Sequence, residues 1–160
     1  MFDCFLELQG IKGESKDKGH PDTIKIESFN WGGSQQGSMH AGGGGGTGRA
    51  SFNDLSLTKR MDKASPTLWQ FMSLGKHFET GKLFVRKAGG NPVDYVVLEM
   101  TKVIVSNISF GGSSAGSEQV DEQVTLNFSK FKISYTPQKE DGTKDAAVEF
   151  GFDIKQNAQA

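Results

Sequence analysis

Three histidines, one cysteine and a run of five glycines are the residues whose types and spacing suggest chemistry. His20, His40 and His77 stand apart, each in a polar, loop-like context. No two have the close spacing that sets imidazoles around one metal ion, so all three read as surface residues. Cys4 lies between Phe2 and Leu6 in a strand-like segment, with no histidine nearby in sequence to generate a thiolate. It reads as a small buried apolar side chain, and a lone cysteine excludes an internal disulfide. The glycines, Gly42, Gly43, Gly44, Gly45 and Gly46, invite a phosphate-loop reading. Such a loop ends in Gly-Lys-Ser/Thr at the head of a helix. Here Thr47-Gly48 runs into Arg49-Ala50-Ser51 and then a strand pattern. Asp54, Glu79, Glu99, Glu118, Asp121 and Glu122 lie among polar neighbours, and no Gly-x-Ser-x-Gly elbow accompanies them. No catalytic set, cofactor site or metal site emerges, and the expectation is a protein that is not an enzyme.

The elements that would position any site are mostly strands. The chain has 160 residues, 35% hydrophobic and 23% charged, with a formal charge of −1. One domain over 1–160 is expected at this length. The charge balance gives no pull towards nucleic acid or an anionic membrane. No apolar run approaches the roughly 20 residues of a membrane helix. Lys12, Lys16, Lys18 and Lys25 are interrupted by Glu14, Asp17 and Asp22, which reads as a solvated loop. Met1-Phe2-Asp3-Cys4 lacks the basic start of a secretory signal, so conventional export is not expected.

Residues 2–9 alternate as a strand, with Cys4, Leu6 and Leu8 on one face. Ile24 and Ile26 alternate next, and then Phe29 and Trp31 take the opposite parity, which predicts a β-bulge near Ser28. Phe29 and Trp31 should face the core. The stretch from Gly32 to Gly48 is a long glycine-rich loop. Residues 49–59 read as a strand distorted near Asn53. Ser65 to Leu74 is the one good helix, with Ser65 as N-cap, Pro66 at the first position and Gly75 just past the end. Strands follow at 82–87 and 93–110, then a turn over 111–116. Val124, Leu126 and Phe128 switch parity to Phe131, Ile133 and Tyr135, a third distortion near Ser129 and Lys130. Asp141-Gly142 signals a hairpin. Val148, Phe150, Phe152 and Ile154 give the last strand an apolar face that should be buried. Bulged strands bend, and bent strands let a sheet close. The predicted fold is mainly all-β: an antiparallel β-barrel of two sheets with one flanking α-helix and a long Gly-rich loop.

Several segments, taken in order, resemble one known family. They begin with Gly13-Glu14-Ser15-Lys16-Asp17-Lys18 and His20, Phe29-Asn30-Trp31-Gly32, and Gly37-Ser38-Met39-His40 with its glycines. Asp62-Lys63-Ala64-Ser65-Pro66, Arg86-Lys87-Ala88-Gly89-Gly90, Val124-Thr125-Leu126-Asn127-Phe128, Tyr135-Thr136-Pro137-Gln138-Lys139 and Phe150-Gly151-Phe152-Asp153-Ile154 continue the likeness. The family is that of the haemolysin-coregulated proteins, the inner tube of bacterial type VI secretion systems. The resemblance implies a homo-hexameric ring that stacks into a tube beneath a valine-glycine repeat spike. A contractile sheath drives that tube from the bacterial cytoplasm out of the cell or into a neighbour, with small effector proteins inside the ring. It also implies that the strand around Ser28 and Asn30 lines the channel and meets cargo. Gly42 to Gly46 with Arg49 would then contact another subunit or ring. A monomeric β-barrel holding a small apolar ligand is the alternative, and mass in solution separates the two.

Overall fold

Alternating apolar residues build almost every element, and a change of parity marks each place where a strand changes partner. The computed structural model describes residues 1–37, 48–89 and 92–160. Eleven strands and one helix succeed each other among the described residues. They are β1 (Phe2–Leu8), β2 (Ile24–Ile26), β3 (Ser28–Asn30), β4 (Gly33–Ser34), β5 (Ser51–Phe52), β6 (Leu55–Arg60), α1 (Ser65–Leu74), β7 (His77–Lys87), β8 (Asp94–Gly111), β9 (Asp121–Tyr135), β10 (Val148–Asp153) and β11 (Ala158–Gln159). Nine strands form one antiparallel sheet, and β4 with β5 makes a separate ribbon.

The large sheet wraps into a barrel. β2 pairs with β1, β1 with β7, β7 with β8, β8 with β9, β9 with β6, and β6 with β3. The circuit returns through the bend at Glu27 between β3 and β2, so chain connectivity rather than a ladder bridges that seam. The Glu27 N–H donates to Thr58 O at 2.8 Å across it. The interior is filled by side chains such as Leu6, Ile24, Leu57, Val103 and Leu126, all essentially inaccessible. Cys4 is buried among them, and desolvation pushes its thiol up to about 12.

The predicted distortions lie where expected, with more specific causes than a bulge. At Ser28 the chain leaves β1 for β6. At Asn53 it leaves the β4–β5 ribbon for the barrel. Near Ser129 the ladder with β8 skips the pair opposite Lys102, whose φ of 55° takes the left-handed region. Both strands change their buried face there. The long β8 also shifts register between Val105 and Asn107.

Four expectations need correction. Ser65 is not the N-cap: the cap residue is Ala64, with no side-chain cap bond of its own. Asp62 does the capping one turn earlier. Its Oδ1 accepts the Ala64 N–H at 3.0 Å, and Ser65 Oγ accepts the Asp62 N–H at 3.0 Å. This reciprocal arrangement is that of a capping box. Gly75, at φ 66°, does end the helix as predicted. β7 begins at His77 rather than Lys82, so His77 is a strand residue, with Nε2 2.7 Å from Glu79 Oε1. Phe29 shares the inward side of its ladder with Leu57, but it sits near the seam and stays 37% exposed. Finally, the apolar face of the predicted last strand is only half covered: Phe152 and Ile154 pack against the core, whereas Val148 is 69% and Phe150 47% exposed.

Candidate assembly surfaces and channel wall

Strands β3, β6, β9 and the second half of β8 make a four-stranded wall. Directly paired residues in an antiparallel ladder point to the same face. On the core side, Phe29, Leu57, Val124 and Ile108 form one row across the wall. The opposite face carries two parallel rows. One is Asn30, Ser56, Thr125 and Asn107; the other is Ser28, Thr58, Gln123 and Ser109. All eight are uncharged hydroxyl or amide residues, and Ser28, Asn30, Ser56, Gln123, Asn107 and Ser109 are exposed. Ser28 and Asn30, chosen from the sequence, therefore belong to a continuous polar surface. The other six members were missed because strand alternation does not reveal which strands lie side by side.

Polar contacts stiffen this wall. Ser106 Oγ donates to Asp54 Oδ2 at 2.6 Å and lies 2.7 Å from Thr125 Oγ1. Asn127 Nδ2 donates to Asp54 Oδ1 at 2.9 Å. Trp31 packs against Phe52, Phe128 and Phe131 and donates its indole N–H to Asn53 O at 2.8 Å. That places the β4–β5 ribbon over an aromatic cluster. Arg49 is exposed at the foot of the ribbon. Gly42 to Gly46 and His40 lie outside the described residues.

The wall has two unoccupied edges. Among the described residues β3 pairs only with β6, and β8 beyond Ile104 pairs only with β9. Every step across the wall is antiparallel, so β8 runs opposite to β3. The β8 edge of one copy is therefore oriented to continue, antiparallel, onto the β3 edge of another.

Two ionic groups, one fully and one partly buried, hold the surrounding elements, and the sequence pointed to neither. Lys59 and Glu122 are wholly inaccessible, with Lys59 Nζ 2.6 Å from Glu122 Oε1. Lys59 also donates to Asp62 Oδ1 and Ser65 Oγ, each at 3.0 Å, while Ser65 Oγ and Trp69 Nε1 donate to Glu122. Both charges are fully partnered, as burial demands, and they lock the start of α1 to β6 and β9. The second group fastens the loop over residues 10–22. Asp17 receives two hydrogen bonds from Arg86, at 2.6 and 2.7 Å, and the guanidinium holds its carboxyl well below the usual carboxylate range. His20 is not a surface residue. Its ring lies against Phe5 and Phe84, with centroids at 4.8 and 4.4 Å, and Nε2 is 2.8 Å from Asp94 Oδ1.

Comparison with known proteins supplies the context for these surfaces. Residues 5–135 match the family model described as "Type VI secretion system effector, Hcp". The chain is 48% identical over 160 residues to Protein hcp1 of Pseudomonas aeruginosa, covering 99% of this chain and 98% of that one. A solved structure of a type six secretion system protein superposes with a TM-score of 0.95 at 28% identity, over the full length of both chains. Hcp1 from Salmonella typhimurium does so with a TM-score of 0.81 at 32% identity, again over both full lengths. The family-model match over residues 5–135 and the 48% identity over the whole chain place this strand-rich, one-helix protein in the Hcp family of type VI secretion proteins.

Proposed function

We propose that this protein is the subunit of a hexameric ring that stacks into the tube of a type VI secretion system and carries effector proteins in its channel. The observation that carries this reading is the four-stranded wall, with one face of neutral hydroxyl and amide groups and an unpaired strand at each side. A head-to-tail arrangement joins unlike patches of identical copies and closes when the rotation between them closes. Joining β8 of each copy to β3 of the next satisfies both edges, which are otherwise a liability in a sheet. It also turns the polar rows of every copy towards one central space. Two rows of hydroxyl and amide groups without large apolar side chains suit transient contact with varied protein cargo. The partners of this reading are further copies in the ring, stacked rings, the valine-glycine repeat spike, the contractile sheath and the carried effectors. Export through that machine takes the tube out of the bacterial cytoplasm.

Amide hydrogen exchange tests the edge pairing. In the assembled protein, Ser28–Asn30 and Val105–Gly111 should exchange slowly, as ladder residues do. Rapid exchange at both edges in a confirmed multimer contradicts the arrangement.

A further inference from the structure

The core-side surface behind each free edge is aromatic. Behind β3, Phe29 stays exposed and is braced edge-on by Phe2, with ring centroids 5.9 Å apart and planes at 61°. Behind the free edge of β8, Phe110 is 58% exposed and stands edge-on to Trp69 at 5.6 Å. Phe29 pairs in register with inward-facing Leu57, and Phe110 with inward-facing Glu122. Both aromatic groups therefore lie on the face away from the polar rows.

We infer that the Phe29 side chain of one copy, supported by Phe2, packs against the exposed Phe110 ring of the next copy, beside Trp69. This inference rests on the ring reading above and adds to it the pair of unlike patches that meet. Continuing β8 of one copy onto β3 of another, antiparallel, brings the two patches to the same side of the joined wall. The two exposed aromatic pairs, Phe2 with Phe29 and Trp69 with Phe110, then cover each other. Aromatic groups gain from edge-to-face packing beyond their burial, and such anchors carry a large share of interface energy. The contact is asymmetric, because Phe29 and Phe110 lie on opposite margins of the wall. It therefore builds a head-to-tail chain of copies and no two-fold pair.

Thiol cross-linking reads that asymmetry. The variants are Phe29→Cys, Phe110→Cys and the double substitution, treated with a short bifunctional maleimide. Cys4 is buried with its thiol pushed up to about 12, so it contributes no background. The double variant should give a ladder of covalent multimers. Each single variant alone should give no dimer, and an equal mixture of the two should give dimers. A second substitution, Phe29→Asp, should raise the concentration at which the multimer dissociates at least tenfold while leaving the circular dichroism spectrum unchanged. If the unsubstituted protein is multimeric but the double variant gives no ladder, or Phe29→Asp assembles normally, the contact is wrong while the ring reading stands. If the unsubstituted chain stays single, both are wrong.

Discussion

Lys59 and Glu122 sit 2.6 Å apart with no solvent access, and each is engaged by further polar partners from Asp62, Ser65 and Trp69. Lys59 has a second carboxylate partner in Asp62, so removing Lys59 is the change that leaves a buried charge, Glu122, without its counter-ion, which costs about 3–5 kcal/mol. Lys59→Met should therefore lower the thermal midpoint by about 6–20 °C for a domain of this size. The double change Lys59→Met with Glu122→Leu should recover much of that loss in the same melting experiment. Asp17 makes a different prediction. Its folded-state pKa is depressed by Arg86, so its stabilising effect is complete above the unfolded carboxylate value of about 3.9. The effect fades as pH falls below that value. Unfolding midpoints of the unsubstituted protein and Asp17→Asn should differ by a constant amount between pH 5 and 8 and converge below about pH 4. Neither group was legible in the sequence. Lys59 and Glu122 occupy strand positions whose local neighbours are polar, and their shared burial exists only once β6 lies beside β9. His20 was hidden for the same reason, since Phe5 and Phe84 reach it from two different strands.

At the scale of elements, local signals did well where the physics is local. The helix, its glycine stop and the parity changes at Ser28, Asn53 and Ser129 are all present. What local pattern lacks is the identity of the neighbour, so a predicted bulge became a change of strand partner. The helix spans Ser65–Leu74 as predicted, but its cap is Ala64, and the Ser65 hydroxyl is drawn into the Lys59–Glu122 group. The Gly13 position shows a close approach that sequence alone leaves open: an added Cβ would lie 2.3 Å from Thr23 O. The glycine-rich connection between β4 and β5 supports a prediction of its own. Its role in the proposed tube is contact with an adjacent ring or subunit, with Arg49 at its base. Deleting Gly42 to Gly46 should leave the melting curve nearly unchanged and should reduce the number and length of tubes in electron micrographs. Tubes of normal length from the deletion variant would remove the loop from the stacking contact.

For the whole molecule, the apolar face of β10 carries a lesson about reading burial from alternation. Val148 and Phe150 have the pattern of a core strand, yet the chain leaves them uncovered beside Ile133 and Tyr135. Exposed apolar strips of this kind mark contact surfaces, and alternation alone does not tell them from a strand buried in the core. The wall is the converse case. Two of its residues, Ser28 and Asn30, were accessible to sequence reasoning, but a continuous polar face required knowing that β3, β6, β9 and β8 are neighbours. Asn30→Arg would place a long cation into each copy's share of that face. It should preserve ring mass and reduce co-purification of a cognate effector several-fold, and unchanged effector yield from an intact ring would remove Asn30 from the cargo surface.

Self-association is the claim on which the channel, the cargo surface and the edge contacts all depend. Light scattering on the purified protein over a range of concentrations measures it without labels or substitutions. A closed hexamer predicts a mass of about six times the 17.3 kDa chain. A mass that stays at that of a single chain at every concentration contradicts the account.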